Sequence, residues 1–138
     1  MASIRVLVVD DFEPFRRLVE SLLHQRPEFE VVCEVSDGLE AVQKAQELQP
    51  DILVLDISLP SLNGIDAARQ ISGCAPRTKI LVLSENRSAA VVREALRTGA
   101  GAYVLKSDAG TDLLRALEAV LKGERFVSAR VNGFESHE

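Results

Sequence analysis

The chain has 138 residues, 46% of them apolar and 27% charged, with a formal net charge of −5. That length suits one domain whose core needs no staples, and the composition excludes a disordered chain. The acidic balance argues against a nucleic-acid-binding domain, which usually shows a basic face.

Cys33 and Cys74 have neither CxxC nor zinc spacing. Cys33 is expected in the core and Cys74 near a helix end, with no disulfide. The opening "MASIRVLVVD" lacks a basic stretch leading into a long apolar one. No apolar run approaches the ~20 residues of a membrane span. A soluble, cytoplasmic chain with no membrane partner is expected.

In chain order, two periods alternate. Short apolar, β-branched runs occupy 4–9, 30–35, 52–55, 79–83 and 102–105. Between them lie stretches of helical spacing. In 12–26, Phe12, Phe15, Leu18, Val19, Leu22 and Leu23 share one predicted face. In 108–122, Leu113, Leu114, Leu117, Val120 and Leu121 do the same. Stretches 38–48, 65–73 and 88–98 are shorter and richer in alanine. Pro27, Gly38, Pro50, "TGAG" (98–101) and Gly123 mark the boundaries.

The pattern predicts a (βα)5 α/β fold, a doubly wound, flavodoxin-like parallel sheet with helices on both faces. Runs one, three and four are almost wholly apolar and belong inside; run two carries Glu30 and Glu34 and belongs at an edge. Order 2-1-3-4-5 of a five-stranded sheet satisfies both. The domain is expected over 1–123, with 124–138 as a tail or the start of a linker.

Ligands of such sheets bind beyond the carboxyl ends of the strands, where strand order reverses. The residues there are Asp10 and Asp11 after run one, Asp56 after run three, Ser84 after run four and Lys106 after run five. Two carboxylates ~4 Å apart repel by about 4 kcal/mol at an effective dielectric near 20. Three are tolerable only with a cation or with shifted pKa values. Carboxylate oxygens select Mg²⁺ or a similar hard ion. A part-filled metal shell beside a lysine and a hydroxyl suits phosphoryl transfer, and a carboxylate can be the nucleophile. Any one of these residues alone would read as a turn former, a helix cap or a solvated charge. Five at the ends of the correct strands do not.

The stretches "VLVVDD" (6–11), "DILVLDISLPSLNGIDA" (51–67), "ILVLSE" (80–85) and "GAGAYVLKSDA" (99–109) resemble the receiver domain of bacterial two-component response regulators. The resemblance implies that Asp56 is the phosphoacceptor. It implies that Asp10, Asp11, Asp56 and the backbone carbonyl of Ser58 hold Mg²⁺. Ser84 corresponds to the switch hydroxyl, Lys106 to the lysine that pairs with the phosphoryl group, and Tyr103 to the aromatic that follows the switch. A sensor histidine kinase is the implied donor, and residues 85–122 the implied face for a second copy. Such a domain is not an enzyme in the ordinary sense, although it catalyses its own phosphorylation and dephosphorylation.

"GAYVLKSDA…LLRALEAVLKGERFVS" is similar to the subfamily with a LuxR-type helix-turn-helix output domain. DNA binding is expected of that second domain and not of this segment. Two departures stand out: Glu85, where the family usually has a small residue, and Ser107, where many relatives have proline. A phosphatase of the haloacid-dehalogenase type would want a second acid two residues after the nucleophile, where Ser58 stands. A flavin or nucleotide module would want a Gly/Ser/Thr-rich loop where "DDFEPF" stands. A receiver-like scaffold that takes no phosphate would not need all five residues. His24 and His137 are expected to be exposed.

Overall fold

The computed structural model describes residues 3–131. Strands β1 (Ile4–Val9), β2 (Phe29–Val35), β3 (Ile52–Asp56), β4 (Lys79–Ser84) and β5 (Ala102–Leu105) alternate with helices α1 (Glu13–Leu23), α2 (Gly38–Leu48), α3 (Gly64–Cys74), α4 (Ala89–Arg97) and α5 (Ala109–Leu121). A short 3-10 turn, Lys106–Asp108, joins β5 to α5.

The sheet is parallel throughout, in the order β2-β1-β3-β4-β5-β6. Among the described residues the expected five strands are therefore six. The addition is β6 (Phe126–Val127), which pairs Phe126 with Ala102 and Val127 with Tyr103. It lies in the stretch read as an aperiodic tail, and two residues are too few to show a period.

Side chains alternate across a strand, so a strand covered on both faces must be apolar at every position. In β1, Leu7 and Val9 join a core with Leu53, Leu55, Val82 and Tyr103, under α2, α3 and α4. Val6 and Val8 join the opposite core with Ile52, Val54, Leu81 and Leu83, under α1 and α5. Alanines 41, 45, 67 and 68 are fully buried, and these small side chains let α2 and α3 pack closely. Strand β2 is the edge, with Glu30 and Glu34 exposed.

Local chemistry sets the helix starts. Asp37 caps α2 by accepting from the Glu40 N–H (2.7 Å), and Asn63 caps α3 by accepting from the Asp66 N–H (2.9 Å). Gln49 ends α2 in a left-handed conformation (φ 46°), just before Pro50.

Three helical expectations are corrected. Helix α1 spans Glu13–Leu23 rather than 12–26, so Phe12 precedes it and is 60% exposed. Leu18 and, in α5, Leu121 lie at the margins of their apolar faces, at 42% and 41% exposure. The face of α1 that meets the sheet is narrower than the apolar stripe: it buries Val19, Leu22 and Leu23, with Phe15 half-buried. Cys33 is only partly buried and packs against the core; both cysteines are free thiols. His24 is exposed, and His137 lies outside the described residues.

The sixth strand is held by more than its ladder. Ser128 is 2% exposed. Its hydroxyl accepts from the Leu105 N–H (3.0 Å) and donates to Asp112 on α5 (2.9 Å), while its N–H donates to the Tyr103 carbonyl (3.0 Å). Val127 and Val131 are buried beside it. Ser128→Ala removes both hydroxyl bonds and should cost about 1 kcal/mol in urea unfolding. An unchanged midpoint would mean that the hydroxyl does not help to hold the segment.

Candidate functional site

The carboxyl ends of β1, β3, β4 and β5 open into a cavity of about 550 Å³. Its walls include Asp11, Asp56, Ser58, Ser84 and Lys106, five of the residues singled out in the sequence. Asp10 lies beneath them at 2% exposure, and one carboxylate oxygen from each of Asp10, Asp11 and Asp56 lies within 4.8 Å of the others. The sheet explains the convergence. β1 and β3 are neighbours in register, Val9 opposite Leu55, so the residues that follow them meet.

The backbone fixes the acids. The Asp10 N–H donates to the Val35 carbonyl (3.1 Å), and Asp10 Oδ1 accepts from the Phe12 N–H (2.9 Å). Arg16 donates to the Asp10 carbonyl (2.6 Å) and pairs with Glu34 across the top of β1 (3.3 Å). Asp56 Oδ1 accepts from the Ser58 N–H (3.2 Å).

Lys106 Nζ stands 2.8 Å from Asp10 Oδ2 and 3.5 Å from Asp56 Oδ2. Asp10 Oδ2 is buried and meets that ammonium. One ammonium facing three carboxylates leaves the cluster with excess negative charge. That excess charge and an all-oxygen donor set suit a hard divalent cation. The residues present therefore fit Mg²⁺.

Electrostatics separate the members of the cluster. Burial pushes the Asp56 carboxyl up from 3.8 to about 6; Lys106 opposes this, while Asp10 and Asp11 add to it. Burial works against the charge on Lys106, yet Asp10 and Asp56 outweigh it and hold the ammonium above its ordinary range. A carboxylate that is 4% exposed, at the floor of an open cavity and beside a fixed cation, can act as a nucleophile toward an incoming phosphorus.

Ser84 ends β4 at 3% exposure, and its hydroxyl accepts from the Asn86 N–H (3.0 Å). Tyr103 is fully buried, and its hydroxyl donates to the Asn86 carbonyl (2.8 Å). Burial raises the Tyr103 phenol above its usual value. Glu85 is exposed at the mouth, and among the described residues no peptide bond is cis, including Lys106–Ser107.

Sequence reasoning missed Phe12, which lines the cavity although it was expected on the buried face of α1. Asn86, two residues after Ser84, lines the cavity as well. Gly64 lies against the backbone of Asp56, a close approach that only the packing of α3 on β3 shows.

A doubly wound parallel sheet carrying this acid, lysine and hydroxyl cluster at its switch point defines a class of phosphate-handling signalling domains. The chain belongs to the response regulator receiver domain family, which it matches over residues 6–118. It is a receiver domain of two-component signalling, and its relatives include LuxR-family regulators of transcription.

The chain is 35% identical over 129 residues to the transcriptional regulatory protein DegU of Brevibacillus brevis, covering 94% of this chain and 55% of that one. The chain thus spans about half the length of that relative. Among solved structures, it resembles a LuxR-family two-component response regulator from Aurantimonas sp. SI85-9A1, at 35% identity and a TM-score of 0.89. That match covers 94% of this chain and 93% of the other. It also resembles the isolated receiver domain of RcsB from Salmonella enterica serovar Typhimurium, determined with the phosphomimetic BeF3−, at 29% identity and a TM-score of 0.87. That match covers 94% of this chain and 96% of the other. Among the described residues, no helix is long and apolar enough to cross a membrane.

Proposed function

We propose that Asp56 accepts a phosphoryl group from the phosphohistidine of a sensor histidine kinase and that the resulting change controls an output domain. The observation that carries this is the buried Asp56 carboxylate at the floor of an open cavity, 3.5 Å from Lys106 and clustered with Asp10 and Asp11. A carboxylate oxygen of Asp56 attacks phosphorus, the P–N bond breaks, and its electron pair leaves with the imidazole ring. Lys106 meets the charge on the phosphoryl oxygens. Asp10, Asp11, Asp56 and the Ser58 carbonyl would hold Mg²⁺, which neutralises phosphoryl charge when bound. The same cluster would serve the later hydrolysis, so the domain catalyses changes only in itself.

The phosphorylated aspartate brings about −1.5 to −2 charge into the pocket. Ser84 turns to it, and the 84–86 loop follows. The Tyr103 hydroxyl is bonded to that loop at Asn86, which supports a linked movement of loop, ring and α4. The altered face within 85–122 then meets a partner or a second copy. Strand β6 and the docked Ser128 support a receiver whose connection to an output domain starts on β5 and α5. By analogy with DegU, that output is transcriptional, through a domain outside this chain.

The test is acetyl phosphate with Mg²⁺, followed by intact mass. Wild type should gain one phosphoryl group and Asp56→Asn none. An unlabelled wild type, or equal labelling of the variant, would overturn the proposal.

A further inference from the structure

Two carboxylates of the cluster, Asp10 and Asp11, are joined by a single peptide group. Turning that planar group changes ψ of Asp10 and φ of Asp11 together, and so moves both side chains. The structure holds it from outside the cluster. Its oxygen, the Asp10 carbonyl, accepts from Arg16 Nη1 at 2.6 Å. The same guanidinium faces the edge strand β2, with Nε 3.3 Å from Glu34 Oε1. The Arg16 backbone closes the loop as well, donating its N–H to the Phe12 carbonyl (3.2 Å). The Arg16 side chain is 17% exposed. Its neighbour Arg17 is 75% exposed and pairs with Glu13 of its own helix.

We propose that Arg16 is a positioning residue: it fixes the Asp10–Asp11 peptide so that both carboxylates converge with Asp56 as Mg²⁺ ligands. The inference rests on the metal-assisted phosphoacceptor reading of Asp56. Charge and position predict opposite effects. A guanidinium near the cluster repels a divalent cation, so its field alone would weaken Mg²⁺ binding. Positioning strengthens binding, because a carboxylate that is already aimed loses little freedom when the cation arrives. The contacts favour position. Arg16 meets a backbone carbonyl, and its ion-pair partner is Glu34 rather than a member of the cluster, so it neutralises none of the three ligands. Arginine suits the task. Its planar fork serves the carbonyl and Glu34 at once, whereas a lysine ammonium is a single point of charge. Glu34, which in the sequence marks only an edge strand, orients that fork. Its strand also steadies Asp10 from the other side, since the Val35 carbonyl accepts the Asp10 N–H (3.1 Å).

The experiment titrates Mg²⁺ into the full chain by isothermal calorimetry, for wild type, Arg16→Met, Arg16→Lys and Arg17→Met. Acetyl phosphate labelling is then read across Mg²⁺ concentrations. Arg16→Met should bind Mg²⁺ about tenfold more weakly, although it removes a positive charge. Arg17→Met removes the same charge one residue further on and should bind as tightly as wild type or more tightly. Arg16→Lys keeps the charge but serves one partner at a time, and should lose about threefold. The Mg²⁺ concentration for half-maximal labelling should shift by the same factors, with the rate at saturating Mg²⁺ changing less. Urea midpoints check folding, and Arg16→Lys carries the test if Arg16→Met does not fold. Unchanged or tighter Mg²⁺ binding in a folded Arg16 variant overturns the positioning role and leaves Asp56 as the acceptor. A wild type that neither binds Mg²⁺ nor takes the label overturns the phosphoacceptor reading, and this inference with it.

Discussion

Gly64→Ala is expected to cost the folded domain at least about 3 kcal/mol and to slow labelling of Asp56 tenfold or more. Gly64 opens α3, is buried, and donates its N–H to the Ile57 carbonyl (2.6 Å). Its conformation is ordinary; what it lacks is room. An alanine Cβ would fall well inside van der Waals contact distance of the Asp56 carbonyl oxygen and 2.5 Å from Ile57 Cα. Those are backbone atoms at the end of the central strand, so no side chain can swing aside. Relief requires parting α3 from β3, which shifts the peptide that aims the acceptor carboxylate. Gly38 works the same way from the other side, meeting the Leu62 backbone as its N–H donates to the Pro60 carbonyl (3.2 Å). Between them the two glycines grip the loop that follows Asp56. Gly73→Ala, near the far end of the same helix, is the control. A Cβ there meets nothing within 4 Å, and alanine favours the helix by up to about 1 kcal/mol. Urea unfolding and donor-labelling rates read both effects. A Gly64→Ala protein as stable as Gly73→Ala would refute the steric argument.

The contrast between the two glycines shows which features the chain discloses. Strands β1, β3 and β4 were legible because burial on both faces demands unbroken apolar runs, and 6–9, 52–55 and 80–83 supply them. The position of Asp56 followed, since a charge that ends such a run must emerge at the sheet's edge. Strand order followed from the two glutamates of β2. Contacts without a period of their own were not legible. Strand β6 has two residues, and its anchor is a single hydroxyl that meets Leu105 and Asp112. Phe12 fitted the spacing of α1 yet stands just before the helix, because a 3.6-residue pattern marks a stripe and not how much of it the sheet covers. The glycines of "LNGID" (62–66) and "ISGCA" (71–75) differ in the room around them, and that difference comes from the packing of α3 on β3. A second cavity beside the acceptor, lined by Phe12, Phe15, Glu85, Arg87, Lys106 and Ser107, unites residues from the start of α1, the β4–α4 loop and the turn after β5, and only the folded chain brings these together.

Asp56→Asn is expected to stabilise the metal-free domain at pH 7 by about 1.5 kcal/mol, raising its melting midpoint by roughly 5 °C. The Asp56 carboxyl is pushed up from 3.8 to about 6, by burial first and then by the neighbouring acids, against the pull of Lys106. At pH 7 the group is ionised whether the chain is folded or not, so the folded state bears the whole penalty. A rise of that size corresponds to about 3 kcal/mol, since each tenfold change in proton affinity is worth about 1.36 kcal/mol. The cavity opens to water, which screens the cluster, and about half is a sound expectation. The sign fixes the pH dependence. Because the folded value lies above the unfolded one, the folded state binds more protons between pH 4 and 6. Wild-type stability therefore falls as pH rises through that window, relative to the variant. The advantage of asparagine is complete above pH 6, shrinks between 6 and 4, and is gone below the unfolded value of 3.8. Mg²⁺ should act in the other direction, since a cation bound to three carboxylates favours the folded wild type and asparagine removes one ligand. Saturating Mg²⁺ should thus narrow or reverse the gap, and chelation should restore it. Thermal melts of the two proteins at pH 7 and pH 3.5, with chelator or with Mg²⁺, give all four comparisons. A variant no more stable than wild type at pH 7 in chelator would mean that Lys106 alone balances the three acids and that the site carries no charge strain for a metal to relieve.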